Sequence, residues 1–131
     1  MLNRRHILGA LAAMATRFPV PAVLAADLKS FDENAFEAAQ AAGKPILVEV
    51  HAPWCPVCKK QTPILSQLSN EPKFKDMLRF SIDFDSQKDL LRKFNVQKQS
   101  TLIAFKGTKE MGRSVGDTDA GSIERLLNLT A

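Results

Sequence analysis

Cysteine is scarce in this chain. Among 131 residues there are two, Cys55 and Cys58, and both fall in one stretch, WCPVC. Histidine is equally scarce: His6 lies near the N-terminus and His51 is the only other. A structural zinc site normally takes four ligands, often two such cysteine pairs, so these residues cannot complete one within a single chain. The apolar run near the N-terminus, Ile7 to Ala15, is nine residues long, against about 20 needed to cross a bilayer. There is no internal repeat and no low-complexity tract. A composition of 45% hydrophobic and 24% charged residues excludes a disordered or fibrous chain. The length fits one domain with a modest core.

The excess of positive charge is local. Residues 1–26 hold Arg4, Arg5 and Arg17 and no acid, which leaves 15 basic against 14 acidic residues in the rest. A body so near neutrality gives no electrostatic ground for binding nucleic acid. The first 26 residues have the order of an export signal: the basic pair Arg4-Arg5, the apolar run, then a small-residue exit at Val23-Leu24-Ala25-Ala26. The arginine pair is twin-arginine-like, although Arg17 is an awkward charge so late in the segment. Cleavage is expected near Ala25 or Ala26, giving a periplasmic protein in an oxidising compartment where disulfides persist. An uncleaved membrane anchor and a disordered tail are the alternatives; only through this segment would the protein touch a membrane.

The remainder, 27–131, predicts one α/β domain. SFDENAFEAAQAAG reads as a helix that Asp32 caps and Gly43 stops. KPILVEV is an apolar run suited to a strand buried on both faces. KKQTPILSQLSN has helical spacing through Ile64, Leu65 and Leu68, with a kink expected at Pro63. MLRFSIDFD alternates as a strand does, SQKDLLRKFNV is a short helix, and TLIAF is a strand turning at Gly107. MGRSVG is a weaker edge strand. Asp117 or Asp119 caps a last helix with Ile123, Leu126, Leu127 and Leu129 on its buried side. The order α-β-α-β-α-β-β-α predicts a mixed sheet with helices on both faces.

The cysteine pair stands where the buried strand ends and a helix begins. That puts Cys55 at the helix N-cap and Pro56 at the first helical position, where a missing N–H costs nothing. Unpaired N–H groups and the helix dipole stabilise a thiolate there. Cys55 is then the attacking sulfur, and Cys58, one turn in and more buried, the resolving one. A purely structural disulfide remains open, but it would close a tiny loop and constrain the unfolded chain little.

The segment ILVEVHAPWCPVCKKQTPIL resembles the active-site segment of thioredoxins, with Trp54 before the first cysteine and Pro63 five residues after the second. SIDFD, LLRKFNV, STLIAFKG and Gly116 follow in the family's order, so the resemblance covers about residues 30–129. It implies a thioredoxin-like fold with a central mixed sheet of four to five strands, and protein-disulfide oxidoreductase activity. It further implies protein disulfides as substrates, a membrane-bound or periplasmic redox partner, no cofactor and a monomer. Glu49, six residues before Cys55, matches the family's buried acid, a proton acceptor for Cys58. The lysine that accompanies that acid is replaced by Ser81 in this reading. Trp54 is expected to cover the active-site surface and contact partners. Lys59 and Lys60 are expected to be solvated.

Three features depart from the family. The dipeptide between the cysteines is Pro56-Val57, a position that tunes redox potential. His51 replaces an aromatic residue; protonated, it would stabilise the Cys55 thiolate. Ser100 stands where thioredoxins have a cis-proline, and a trans bond is expected because a cis bond before serine costs about 3 kcal/mol. The loop Gln99-Ser100-Thr101 is expected to bind an extended substrate by backbone pairing. Space opened by the lost proline ring allows one alternative, a dimer holding a metal or iron–sulfur cluster through Cys55 and Cys58 of two chains. A redox-inert adaptor is the other.

Overall fold

A computed structural model describes residues 27–131. The expected export signal at 1–26 lies outside the described residues. The chain runs through β1 (Leu28–Ser30), α1 (Glu33–Ala41), β2 (Pro45–His51), α2 (Pro56–Ser69), a single 3-10 turn at Pro72–Phe74, β3 (Leu78–Asp83), α3 (Lys88–Lys93), β4 (Thr101–Lys106), β5 (Lys109–Val115) and α4 (Ala120–Asn128). The five strands form one sheet in the order β1-β3-β2-β4-β5. β3 pairs parallel with β1 and β2, while β4 pairs antiparallel with β2 and β5. This is the expected thioredoxin-like mixed sheet. Its first strand goes beyond the expected order: LKS is three exposed residues with no alternation to mark it.

Alternation along β2 builds two cores. Ile46, Val48 and Val50 face one side, where α1 and α3 pack and Phe31, Phe36, Phe80, Phe94 and Phe105 meet in tilted and edge-to-face contacts 5.1–6.0 Å apart. Leu47 faces the other side with Leu102 and Ala104, against Leu65 and Leu68 of α2 and Ile123, Leu126 and Leu127 of α4. Burial of β2 on both faces explains its nearly continuous apolar run.

The helix starts follow their caps. Asp32 accepts hydrogen bonds from the Asn34 and Ala35 amides at 2.9 and 3.3 Å, and Asp119 accepts from the Ser122 amide at 2.8 Å. Gly43, just past α1, takes φ +68°, the left-handed conformation that stops the helix without a Cβ penalty. α2 continues through Pro63 from Pro56 to Ser69. Leu129 departs from expectation. It is the C-cap of α4 rather than part of its buried face and is 42% exposed, its end lying over Gly112 of β5.

Candidate active site

The two cysteines sit at the C-terminal end of β2 and the first turn of α2. Cys55 is the N-cap with an extended backbone, and Pro56 follows in the first turn. The Cys55 Sγ accepts a hydrogen bond from the Cys58 amide at 3.1 Å. A sulfur thus occupies the position that Ser or Asp takes at an ordinary helix start, and negative charge on it faces the positive end of the helix. The expected difference in burial between the two sulfurs is corrected. Both are sealed, at 0% and 2% exposure, with Ala52 beside them and Val57 and Phe84 packed on the cluster.

Burial pushes the Cys58 thiol up to about 11; the Cys55 sulfur adds to the rise, and backbone groups of Ala52 and Ser100 act against it. At neutral pH Cys58 is therefore almost wholly protonated and needs a base to become a nucleophile.

Glu49 is that nearby carboxyl, buried as expected. Burial raises its pKa, while hydrogen bonds and charge from Arg79 and the charge of His51 hold it down. Arg79 grips both carboxylate oxygens, Nε to Oε2 at 2.7 Å and Nη2 to Oε1 at 2.8 Å, and Nη1 reaches Ser69 Oγ at 3.3 Å. The expectation at Ser81 is corrected here. Ser81 lies opposite Glu49 in the β2–β3 register, and the cation that pairs with the acid is Arg79, two residues earlier on the same face. A cavity of about 200 Å³ connects the pair to Cys58, with His51, Gln61 and Ser81 among its other walls.

His51 lines the cavity with Glu49 and Cys58, and its charge acts on Glu49 and Asp83. Trp54 is 54% exposed on the turn before α2; its Nε1 donates to Asp85 Oδ2 at 2.9 Å and its ring meets Phe84 edge-on.

The loop before β4 is locked internally. Ser100 is buried, follows a trans peptide as expected, and has φ +59°. Its amide donates to the Val50 carbonyl at 2.8 Å, and its carbonyl accepts from Gly116 N–H at 3.1 Å and Gln61 Nε2 at 3.2 Å. Thr101 is buried too, its hydroxyl donating to the Lys98 carbonyl at 2.7 Å. The expected docking of substrate on Ser100 and Thr101 is therefore corrected: their groups face inward, and only Gln99 of the three is partly exposed. Gln61, which ties α2 to this loop and to the Asp117 carbonyl at 2.8 Å, went unnoticed in the sequence. Its one signal is its place three residues after Cys58, on the same helix face.

The sealing of both sulfurs also bears on the metal alternative. Four thiolates from two chains can meet only if both sulfurs of each reach the surface.

Comparison with known proteins points the same way as the geometry. The model of the thioredoxin family matches residues 27–128. A thioredoxin of Chlamydia muridarum is 37% identical over 83 residues, 63% of this chain and 79% of that protein. A thioredoxin of Echinococcus granulosus is 33% identical over 104 residues, covering 79% of this chain and 94% of its own. Among solved structures, Trxlp from Edwardsiella tarda superposes with a TM-score of 0.75 at 40% identity, covering 77% of this chain and 98% of that one.

Proposed function

Because this chain belongs to the thioredoxin family, we propose that it reduces disulfides of other proteins in the cell envelope through Cys55 and Cys58. It is a thiol–disulfide oxidoreductase; the direction, the compartment and the role of each residue are the proposal. The observation that carries it is the Cys58 amide aimed at the Cys55 sulfur at 3.1 Å, at the mouth of a helix. That geometry aims the helix N-terminus at the Cys55 sulfur, the attacking one in this reading, and leaves Cys58 as thiol.

The Cys55 thiolate attacks one sulfur of the partner's disulfide, forming a mixed disulfide and releasing the first partner thiolate. Glu49 takes the Cys58 proton by way of the shared cavity. The Cys58 thiolate then attacks Cys55, the Cys55–Cys58 disulfide forms, and the second partner sulfur leaves as thiolate. Two electrons pass to the partner, whose thiolates take protons from water. Cys55 must be uncovered for the first attack, so Val57 and Phe84 have to give way. Trp54, with Pro53 and Pro56 exposed beside it and Gln99 partly exposed, forms the surface a partner meets. A reducing direction is supported by the likeness to thioredoxins, which lie at the reducing end of the range of dithiol potentials. The envelope location is supported by Arg4-Arg5, the apolar run and the small-residue exit at Ala25-Ala26. A membrane-bound or periplasmic donor must then return the electrons.

Trapping tests the proposal. With a disulfide-bonded protein substrate, Cys58→Ser is expected to accumulate a mixed disulfide through Cys55, seen by mass spectrometry, while Cys55→Ser forms none and does not turn over. Ordinary turnover by Cys55→Ser would end this reading.

A further inference from the structure

One face of β2 and β3 carries a polar row. Side chains alternate along a strand, so Glu49 and His51 share the face that α2 covers. The parallel register sets Ser81 beside Glu49 and Asp83 beside His51, and Arg79 joins the row through its ion pair with Glu49. Exposure rises along it: Arg79 and Glu49 are buried, whereas Ser81, His51 and Asp83 are half-buried. Arg79, Glu49, Ser81 and His51 of this row line the cavity that reaches Cys58, and Asp83 stands beyond it beside His51. The row therefore runs from the sealed dithiol to the surface.

A proton accepted by Glu49 has to leave before the next turnover. Arg79 cannot take it, because a guanidinium stays charged. The cavity, about 200 Å³, is mostly apolar but carries Glu49, Arg79, Ser81 and His51 on its walls, and it has room for water to bridge those groups. Of the side chains on that cavity, His51 is the titratable one that also reaches solvent. An imidazole binds and releases protons in the neutral range and has two nitrogens to do so. The charged and titratable groups facing it are Glu49 on its own strand, Asp83 on β3 and Cys58 on α2, with Arg79 behind Glu49.

We propose that His51 is the proton outlet of the dithiol site, receiving from Glu49 the proton that Cys58 gives up and handing it to solvent beside Asp83. The proposal rests on the thiol–disulfide exchange reading above. In the first transfer Cys58 thiol and Glu49 carboxylate become thiolate and carboxylic acid. In the second, neutral His51 becomes imidazolium and Glu49 is again carboxylate. Loss of that proton to water restores His51. His51 touches neither substrate nor a sulfur in this scheme; it acts through Glu49.

The test separates the two sulfur steps. Reduced full-length protein mixed rapidly with 5,5′-dithiobis(2-nitrobenzoate) releases one thionitrobenzoate when Cys55 attacks and a second when Cys58 resolves the mixed disulfide. His51→Phe restores an aromatic residue where the family has one. It is expected to leave both releases of this single turnover near the wild-type rate and to slow steady-state reduction of insulin by dithiothreitol about tenfold at pH 7, less than the roughly 10²–10⁴-fold of proton transfer at the reacting atoms because cavity water still carries part of the flow. The deficit should shrink towards pH 9, free imidazole should restore the rate, and on a Glu49→Gln background the substitution should add little further loss. A wild-type pH profile in His51→Phe would overturn the proposal. So would a slowing that is equal at every pH and untouched by imidazole, since that is a packing effect. If wild-type protein itself releases no second thionitrobenzoate, the exchange reading falls and takes this one with it.

Discussion

Arg79→Met is expected to destabilise the domain by about 3–5 kcal/mol at pH 7, the cost of leaving one partner of a buried ion pair uncompensated. Both oxygens of Glu49 are held by that guanidinium, at 2.7 and 2.8 Å, and both side chains are almost fully buried. A Tm drop of roughly 4–8 °C per kcal/mol would accompany the loss in a domain of this size. The pH dependence carries a sign. Glu49 already has a folded pKa above its ordinary value of 4.5. A raised carboxyl favours the folded state below the unfolded pKa, and that contribution is lost as pH rises through the folded one. Removing Arg79 takes away the larger part of what holds Glu49 down, leaving only the charge of His51, so the variant should lose stability over a wider span of rising pH. Urea unfolding should therefore show a larger deficit at pH 8 than at pH 5. Glu49→Leu combined with Arg79→Met should recover much of the loss, because both charges go together. A deficit below about 1 kcal/mol, flat with pH, would place the pair in water, where such contacts contribute little.

Ser100→Pro is expected to cost about 3 kcal/mol, combining backbone strain with a lost buried hydrogen bond. Restoring the family's residue is harmful here because the backbone has taken another path. Ser100 has φ +59°, which proline, fixed near −65°, cannot adopt. The Ser100 amide also donates to the Val50 carbonyl at 2.8 Å, a bond that proline deletes, leaving that buried acceptor only the weak Cys58 thiol at 4.0 Å. Ser100→Gly should stay within about 1 kcal/mol of wild type, since relief of left-handed strain offsets the freedom glycine gains when unfolded. Thermal or urea unfolding of the two variants, compared at one pH, checks the order. A Ser100→Pro protein as stable as wild type would mean that the loop follows a different backbone path from the one described.

What could be read in advance was local. Cys55 at an N-cap and Pro56 in the first turn follow from a strand run meeting a helical run, with no knowledge of the rest of the fold. Asp32, Gly43 and Gly107 announced their caps and turns in the same way. Arg79 could not be read so. In LRFSID the apolar alternation belongs to Leu78, Phe80 and Ile82, which leaves Arg79 on the opposite side, where a lone strand would meet solvent. Only the pairing of β3 with β2, and α2 laid across both, makes that side interior. The β2–β3 register then brings Arg79 to Glu49, 30 residues away in the chain. The inward turn of Ser100 and Thr101 has the same origin, because it depends on Gln61 and Gly116 arriving from distant segments. Leu129 leaves the buried face for a smaller reason: α4 ends at Asn128, and its periodicity does not carry past the cap.

The central claim is that Cys55 and Cys58 form one redox couple. Equilibrating the purified chain in glutathione buffers of stepped ratio, then alkylating and weighing it, tests that claim most directly. The account predicts a single two-electron transition in which both cysteines pass together into one intramolecular disulfide, with a potential towards the reducing end of the family's range, below about −200 mV. Cysteines that stay alkylatable at every ratio, or that each take up glutathione independently, would contradict it.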